Sequence, residues 1–265
     1  MDIMRANTSQ FVLTGFAGID KHTGGLQKGK LALLASAPAV GKTSFALNIV
    51  CQSCFKAGNP TLLVSLELPV KTIVARLLEM KICPESISGN AWKPYVQGVL
   101  SLTDKPFYIT DKTGQRVSDI YAAADTANGV EKSKLDLIVI DYLQLLRGTD
   151  NFRRRAEEMA EIMDELSRLA QDLNAAVLVL AQIPRGQRIE TRGKDVKFDL
   201  GDVPKDSLEK FDFIGILDRP IALADLCGAD LPKDVLTHFW VTGRSRDWKR
   251  IAFNFDLSRL LFTEI

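Results

Sequence analysis

The octapeptide Ser36-Ala37-Pro38-Ala39-Val40-Gly41-Lys42-Thr43 constrains this chain more than any other segment. It follows an all-apolar run, Leu31-Ala32-Leu33-Leu34-Ala35, and opens a stretch that reads as a helix from Lys42 to Ala57. Strand, glycine-closed loop and helix in that order make a phosphate-binding loop. Backbone N–H groups of such a loop point inward, and the helix N-terminus adds partial positive charge. The candidate cradle is Ser36, Ala37, Pro38, Ala39, Val40, Gly41, Lys42, Thr43 and Ser44. In it Lys42 would reach the β- and γ-phosphates, and the Thr43 hydroxyl would sit on Mg²⁺. Ser36 stands where such loops usually begin with glycine.

Two carboxylates extend this reading. Leu135-Asp136-Leu137-Ile138-Val139-Ile140-Asp141 is an apolar strand ending in an acid. Asp141 at the carboxyl edge of the sheet would hold Mg²⁺ through water, whereas Asp136, near the strand's start, reads as solvated. The strand Thr61–Leu66 is followed by Glu67, placed to deprotonate a water for attack on a γ-phosphate. A helix N-terminal carboxylate favoured by the dipole is the plainer alternative for Glu67.

Short apolar runs also fall at Pro106–Thr110, Ala176–Ala181 and Phe213–Leu217, and helical periodicity at Val70–Ile82, Ser118–Gly129 and Arg155–Leu173. This alternation predicts an α/β chain with a mainly parallel central sheet flanked by helices. Val235–Val241, Arg250–Phe255 and Leu260–Phe262 alternate around the turn Gly243-Arg244-Ser245-Arg246, which predicts an antiparallel C-terminal extension. Ile183 to Leu208 lacks periodicity, and a connection of that length in a compact domain is functional or disordered. One domain is the simplest organisation.

The 265 residues can bury about 73% of their unfolded surface, enough for a core without disulfides or structural metal. With 34 basic and 33 acidic residues there is no global field to attract nucleic acid, so a local patch would have to do it. The stretch Ile183–Phe198 offers one. Arg185, Arg188, Arg192, Lys194 and Lys197 outnumber Glu190 and Asp195 there, and Phe198 is its one aromatic residue. Several copies lining a channel could track a phosphate backbone of single-stranded DNA; a solvated basic loop is the alternative. Arg153-Arg154-Arg155 reads as facing water. No apolar run is long enough to span a bilayer and the N-terminus lacks a signal-peptide pattern, so the four cysteines, Cys51, Cys54, Cys83 and Cys227, read as reduced thiols of a cytoplasmic protein.

Taken together these segments resemble the ATPase domain of DnaB-type hexameric replicative helicases, a branch of the RecA-like fold. The likeness begins at Thr14-Gly15 and Ile19-Asp20-Lys21-His22-Thr23-Gly24-Gly25-Leu26. It runs through the phosphate loop, Ser65-Leu66-Glu67-Leu68-Pro69 with Arg76, and Ile140-Asp141-Tyr142-Leu143-Gln144-Leu145-Leu146. Leu180-Ala181-Gln182-Ile183-Pro184-Arg185 and Gly243-Arg244-Ser245-Arg246 complete it. The resemblance implies ATP and Mg²⁺ as ligands, Glu67 as the water-activating base and Gln182 as a γ-phosphate sensor. It also implies Arg244 and Arg246 acting in trans in a ring, expected to be a hexamer, on single-stranded DNA, with primase or a loader as further partners. An exposed basic turn is the alternative for the two arginines. On this basis residues 14–265 would form the ATPase domain and residues 1–13 a lead-in or linker remnant. The sequence departs from the family in two places. Only thirteen residues precede Thr14 where full-length members carry a helical domain and linker, which fits an isolated domain or a parent without the rest. Gly201 and Asp202 stand where the family has an arginine-containing loop, which speaks against the usual DNA contact there. A nucleotide-gated DNA-binding or loader protein without unwinding, and a RecA- or clock-type ATPase, are the competing functions.

Overall fold

The computed structural model describes residues 10–81, 104–131, 134–149, 154–184, 189–192, 195–219 and 234–265. In chain order the elements are β1 (Phe11–Val12), α1 (Ala17–Thr23), β2 (Leu26–Gln27), β3 (Leu31–Ser36), α2 (Lys42–Val50), β4 (Thr61–Ser65), α3 (Val70–Lys81) and β5 (Phe107–Thr110). Then come α4 (Val117–Glu131), β6 (Leu137–Asp141), α5 (Arg155–Leu173), β7 (Ala176–Gln182), β8 (Glu190–Arg192) and β9 (Asp195–Lys197). The last strands are β10 (Phe211–Asp218), β11 (Asp234–Thr242), β12 (Lys249–Asp256) and β13 (Leu261–Glu264). Nine strands form one sheet in the order β13-β12-β11-β10-β3-β7-β6-β4-β5. From β10 to β5 the pairing is parallel; from β10 to β13 it is antiparallel.

β3 is wholly buried because helices cover both faces of the sheet, so its run need not alternate with polar residues. Leu31, Leu33 and Ala35 pack into one layer with α4 and α5, through Ile120, Ala124, Met159, Ile162 and Leu166. Ala32 and Leu34 pack into the other with α1, α2 and α3, through Ile19, Phe45, Leu47, Ile73 and Leu77. Phe45 is the hub of that second layer. Its ring stacks on Phe16 at 4.8 Å and Phe239 at 4.7 Å, and meets Phe253 and Phe262 edge-on at 5.5 and 5.0 Å. The helix that begins at the phosphate loop is thereby fixed to the antiparallel strands.

Several expectations change in detail. The helix expected over Lys42–Ala57 is α-helical to Val50 and then winds as a π-helix over Cys51–Lys56. Cys51 and Cys54 lie on that wider turn, half-buried and buried; Cys83 and Cys227 lie outside the described residues. The aperiodic Ile183–Leu208 stretch contains the β8–β9 hairpin and part of a 3₁₀ segment, Lys205–Lys210. Phe198 does not stand free for base stacking: it is half-buried, its ring edge-on to Trp248 at 6.3 Å. Asp136 is not simply solvated but forms an ion pair with Lys28. α1 and the β1–β2 pair went unpredicted. The Asp20 carboxylate organises them, accepting hydrogen bonds from the Thr14 N–H (2.9 Å), the Thr14 hydroxyl (2.7 Å) and the Gly15 N–H (3.0 Å).

Candidate nucleotide site

At the carboxyl edge of the parallel strands the phosphate loop closes over a cavity of about 340 Å³. Ser36 is simply the last residue of β3, with its hydroxyl donating to the Ala37 carbonyl at 2.8 Å. A glycine is required later, at Gly41, where φ is +108° and a Cβ would come within 3.2 Å of the Phe262 ring. Ala39 also takes a left-handed φ of 63°. These two reversals turn the loop back onto the start of α2, whose first bond runs from the Phe45 N–H to the Gly41 carbonyl at 2.8 Å.

Lys42 is only 8% exposed, with its ammonium 4.6 Å from the centre of the Tyr142 ring. Burial pushes its pKa below the usual lysine range, while the Asp141 and Glu67 carboxylates pull it back up. Asp141 is 1% exposed and accepts a 2.7 Å hydrogen bond from the Thr43 hydroxyl on Oδ2. Burial raises its pKa against the lowering effects of Thr43 and Lys42. Its other oxygen, Oδ1, is buried with no hydrogen-bond partner among the described residues. A buried carboxylate oxygen left unpaired is costly, and this carboxyl sits against the helix start that would hold phosphates. The hydroxyl and carboxylate are hard oxygen donors, the kind Mg²⁺ takes while drawing its other ligands from phosphate and water. Among the described residues no cluster of three His, Cys, Asp or Glu forms a metal cage, and the Thr43–Asp141 pair is an open site of two oxygen donors.

Glu67, Arg76 and Gln182 line the same cavity from β4's exit, α3 and the end of β7. Glu67 is exposed. Phe255, Leu257 and Leu260 add an apolar wall, with the Phe255 ring beside Gly41. The structure thus brings together Ser36–Ser44, Glu67, Asp141 and Gln182.

It does not bring Arg244 and Arg246 to them. The turn between β11 and β12 sits at the amino edge of β10: Arg244 Nε donates to Asp212 at 2.9 Å and its Nη2 to Gln27, while Arg246 Nη2 reaches the Glu209 carbonyl at 3.4 Å. Ser36, by contrast, pairs with Leu217 near the other end of β10. That is about 16 Å along the strand from Asp212. Of the basic stretch, Arg192 and Lys197 hold positions in the β8–β9 ladder and Lys197 is exposed; Arg185, Arg188 and Lys194 lie outside the described residues.

Sequence reading missed the part played by two arginines, one of them at the phosphate loop. Arg219, just past β10, donates to the Val40 carbonyl at 2.7 Å and the Ala39 carbonyl at 3.4 Å, with its guanidinium 5.3 Å from the Phe255 ring centre. Its place at the carboxyl end of the strand beside β3 was the available signal. Arg155 does not face water: it donates to the Gln144 and Leu146 carbonyls at 2.8 and 3.1 Å.

Fold and site define a domain of the RecA-like type, a parallel sheet with a phosphate-loop motif and an acidic strand end side by side. The chain belongs to the DnaB-like helicase C-terminal domain family, whose model matches residues 12–207. It is 36% identical over 181 residues to replicative DNA helicase DnaC of Bacillus subtilis (strain 168), covering 65% of this chain and 39% of that protein. Two solved structures share the fold. One is a DnaB-like replicative helicase described with its interactions with primase: TM-score 0.80, 22% identity, 95% of this chain and 63% of that one. The other is the ATPase domain of a second protein: TM-score 0.80, 21% identity, 100% of this chain and 96% of that one. The match spans about two fifths of the length of most of these curated relatives and 22–24% of two others. Among the described residues no helix is long and apolar enough to cross a membrane.

Proposed function

We propose that this chain is the ATP-hydrolysing motor unit of a DnaB-like replicative helicase, with residues 14–265 as its ATPase domain and 1–13 as the lead-in. The observation that carries the reading is the convergence of Lys42, the Thr43–Asp141 pair, Glu67 and Gln182 on one cavity beside the phosphate loop. Lys42 and the loop N–H groups would hold the phosphates, and the apolar wall of Phe255, Leu257 and Leu260 would receive the base. Thr43 and Asp141 would hold Mg²⁺, Asp141 through water. When bound, Mg²⁺ neutralises charge that builds on the phosphate oxygens. Glu67 takes a proton from the attacking water as its oxygen bonds the γ-phosphorus; the bond to the bridging oxygen breaks, leaving ADP and phosphate. Gln182 contacts the γ-phosphate.

The position of Arg244 and Arg246 at the far edge of β10 supports a role on a second copy's site rather than their own. A closed ring, a hexamer, supplies that neighbour. Single-stranded DNA is the track, gripped through Arg185, Arg188, Arg192, Lys194 and Lys197, and primase or a loader is the further protein partner. A nucleotide-gated DNA-binding protein without unwinding is the second reading. It is favoured by the turn at Gly201, where φ is +68° and the N–H donates to Asp199 at 2.7 Å, in place of a basic loop.

Nucleotide binding and turnover test the hydrolysis step. Lys42→Ala should lose nucleotide binding, whereas Glu67→Gln should bind and not turn over. Robust hydrolysis by Glu67→Gln would show that another group activates the water.

A further inference from the structure

β6 ends at Asp141, whereas its neighbour β7 runs on to Gln182. The last backbone pair between them is Ile140 with Val179, so the end of β7 outruns its partner strand on that side. On the other side Gln182 remains in register with Ser36 of β3, and the Ile183 N–H donates to the Ser36 carbonyl at 2.8 Å. A side chain fills the open side. Gln144 Nε2 donates to the Gln182 carbonyl at 2.8 Å, and the Gln182 N–H donates to Gln144 Oε1 at 3.2 Å. A carboxamide carries one acceptor and a donor, as a peptide unit does, and here it substitutes for the strand residue that β6 lacks.

Gln144 is itself held. It lies in the 3₁₀ turn Leu143–Leu145, beside the buried Leu143. Its carbonyl accepts from Arg155, at the first turn of α5; Arg155 pairs with Glu158, and Glu158 accepts from the Gly148 N–H at 2.8 Å. The backbone of Gln182 is thus gripped by β3 on one side and by a braced side chain on the other.

We propose that Gln144 is a positioning residue for Gln182: its carboxamide locks the Gln182 peptide so that the Gln182 side chain is aimed at the γ-phosphate position. This rests on the reading of the cavity as an ATP site. Gln144 is absent from the cavity lining, so its loss leaves the phosphate loop, Lys42 and the apolar wall in place. What is lost is discrimination between nucleoside triphosphate and diphosphate.

The test is the affinity ratio of a non-hydrolysable ATP analogue to ADP, each measured by displacement of a fluorescent ADP. Gln144→Met keeps length and loses both hydrogen bonds; Gln144→Glu keeps the acceptor and sets a carboxylate against the Gln182 carbonyl. Both should lower the ratio about tenfold to a hundredfold, the effect of one hydrogen bond to a charged group, with ADP affinity within about twofold. Gln182→Ala should lower it as much, and adding Gln144→Met to Gln182→Ala should lower it no further. If Gln182→Ala moves the ratio and both Gln144 variants leave it intact, the positioning role is overturned while the ATP site stands. A parallel fall in both affinities overturns it as well, since that is general damage. An unchanged ratio in Gln182→Ala removes the sensor reading and the role of Gln144 with it.

Discussion

Asn48 ties the phosphate-loop helix to the C-terminal strands, and its removal should be felt in both stability and binding. It is buried on α2, where Nδ2 donates to the Ser44 carbonyl at 2.7 Å and the Leu260 carbonyl at 2.9 Å. Its Oδ1 accepts from the Phe262 N–H at 3.2 Å. Leu260 has a left-handed φ of 53°, which the Asn48 contact helps to hold, and both Leu260 and the neighbouring Phe255 wall line the nucleotide cavity. Asn48→Ala deletes the partner of a buried N–H and of a turn carbonyl. Each orphan costs about 1–3 kcal/mol, offset by the amide no longer needing desolvation, for a net loss of about 2–4 kcal/mol. For a chain of this size that lowers Tm by roughly 5–12 °C. Urea unfolding followed by circular dichroism measures it. Asn48→Asp keeps the acceptor, loses both donations and buries a carboxylate, so it should be worse at pH 7 than at pH 4. An Asn48→Ala loss below about 0.5 kcal/mol, the size of an ordinary surface change, would refute the reasoning.

Asp141→Asn should stabilise the nucleotide-free chain at pH 7. Its raised folded pKa means that ionised Asp141 opposes folding; a carboxyl of this kind contributes stability at low pH that is lost as pH rises through the folded value. The advantage of the Asn variant should therefore shrink as pH falls through that value and vanish below the ordinary aspartate range; urea midpoints between pH 4 and 8 check the sign. Arg219→Met keeps bulk beside Phe255 but loses the hydrogen bonds to Ala39 and Val40, and should weaken ATP binding by about 1–2 kcal/mol in a direct titration. Unaltered affinity would mean the loop needs no brace. Lys42→Ala and Arg246→Ala chains, each inactive alone, should regain ATP turnover when mixed; if light scattering shows mixed rings and turnover stays absent at every ratio, Arg246 does not act in trans.

The parts of this fold that could be read in the sequence are those whose pattern is set locally. β3 spans Leu31–Ser36 and α5 spans Arg155–Leu173 as expected, since a buried parallel strand is an unbroken apolar run and α5 repeats Met159, Ile162, Met163, Leu166 and Leu169 at helical spacing. The phosphate loop was legible because glycine, lysine and threonine are each needed for a different physical reason. What could not be read depends on distant chain. The π turn at Cys51–Lys56 and the short α1 have no periodicity of their own, and α1 is organised by Asp20 bonding back to Thr14 and Gly15. Arg155 and Arg219 look like ordinary surface residues until the fold sets backbone carbonyls in front of them, and the bond of Gln144 to the Gln182 backbone likewise exists only once β6 and β7 lie side by side. Phe198, the one aromatic residue of the basic stretch, turns out to pack on Trp248, 50 residues further along.

ATP turnover and forked-duplex unwinding, measured side by side with and without single-stranded DNA, test the motor reading most directly. Turnover should rise on DNA, and DNA affinity should fall steeply with salt as phosphate counterions are released. Replacing Arg188, Arg192 and Lys194 by alanine should remove the stimulation and leave basal nucleotide binding intact. ATP hydrolysis indifferent to DNA, with no unwinding at low salt although rings have formed, would contradict a motor and leave a nucleotide-gated DNA-binding protein in its place.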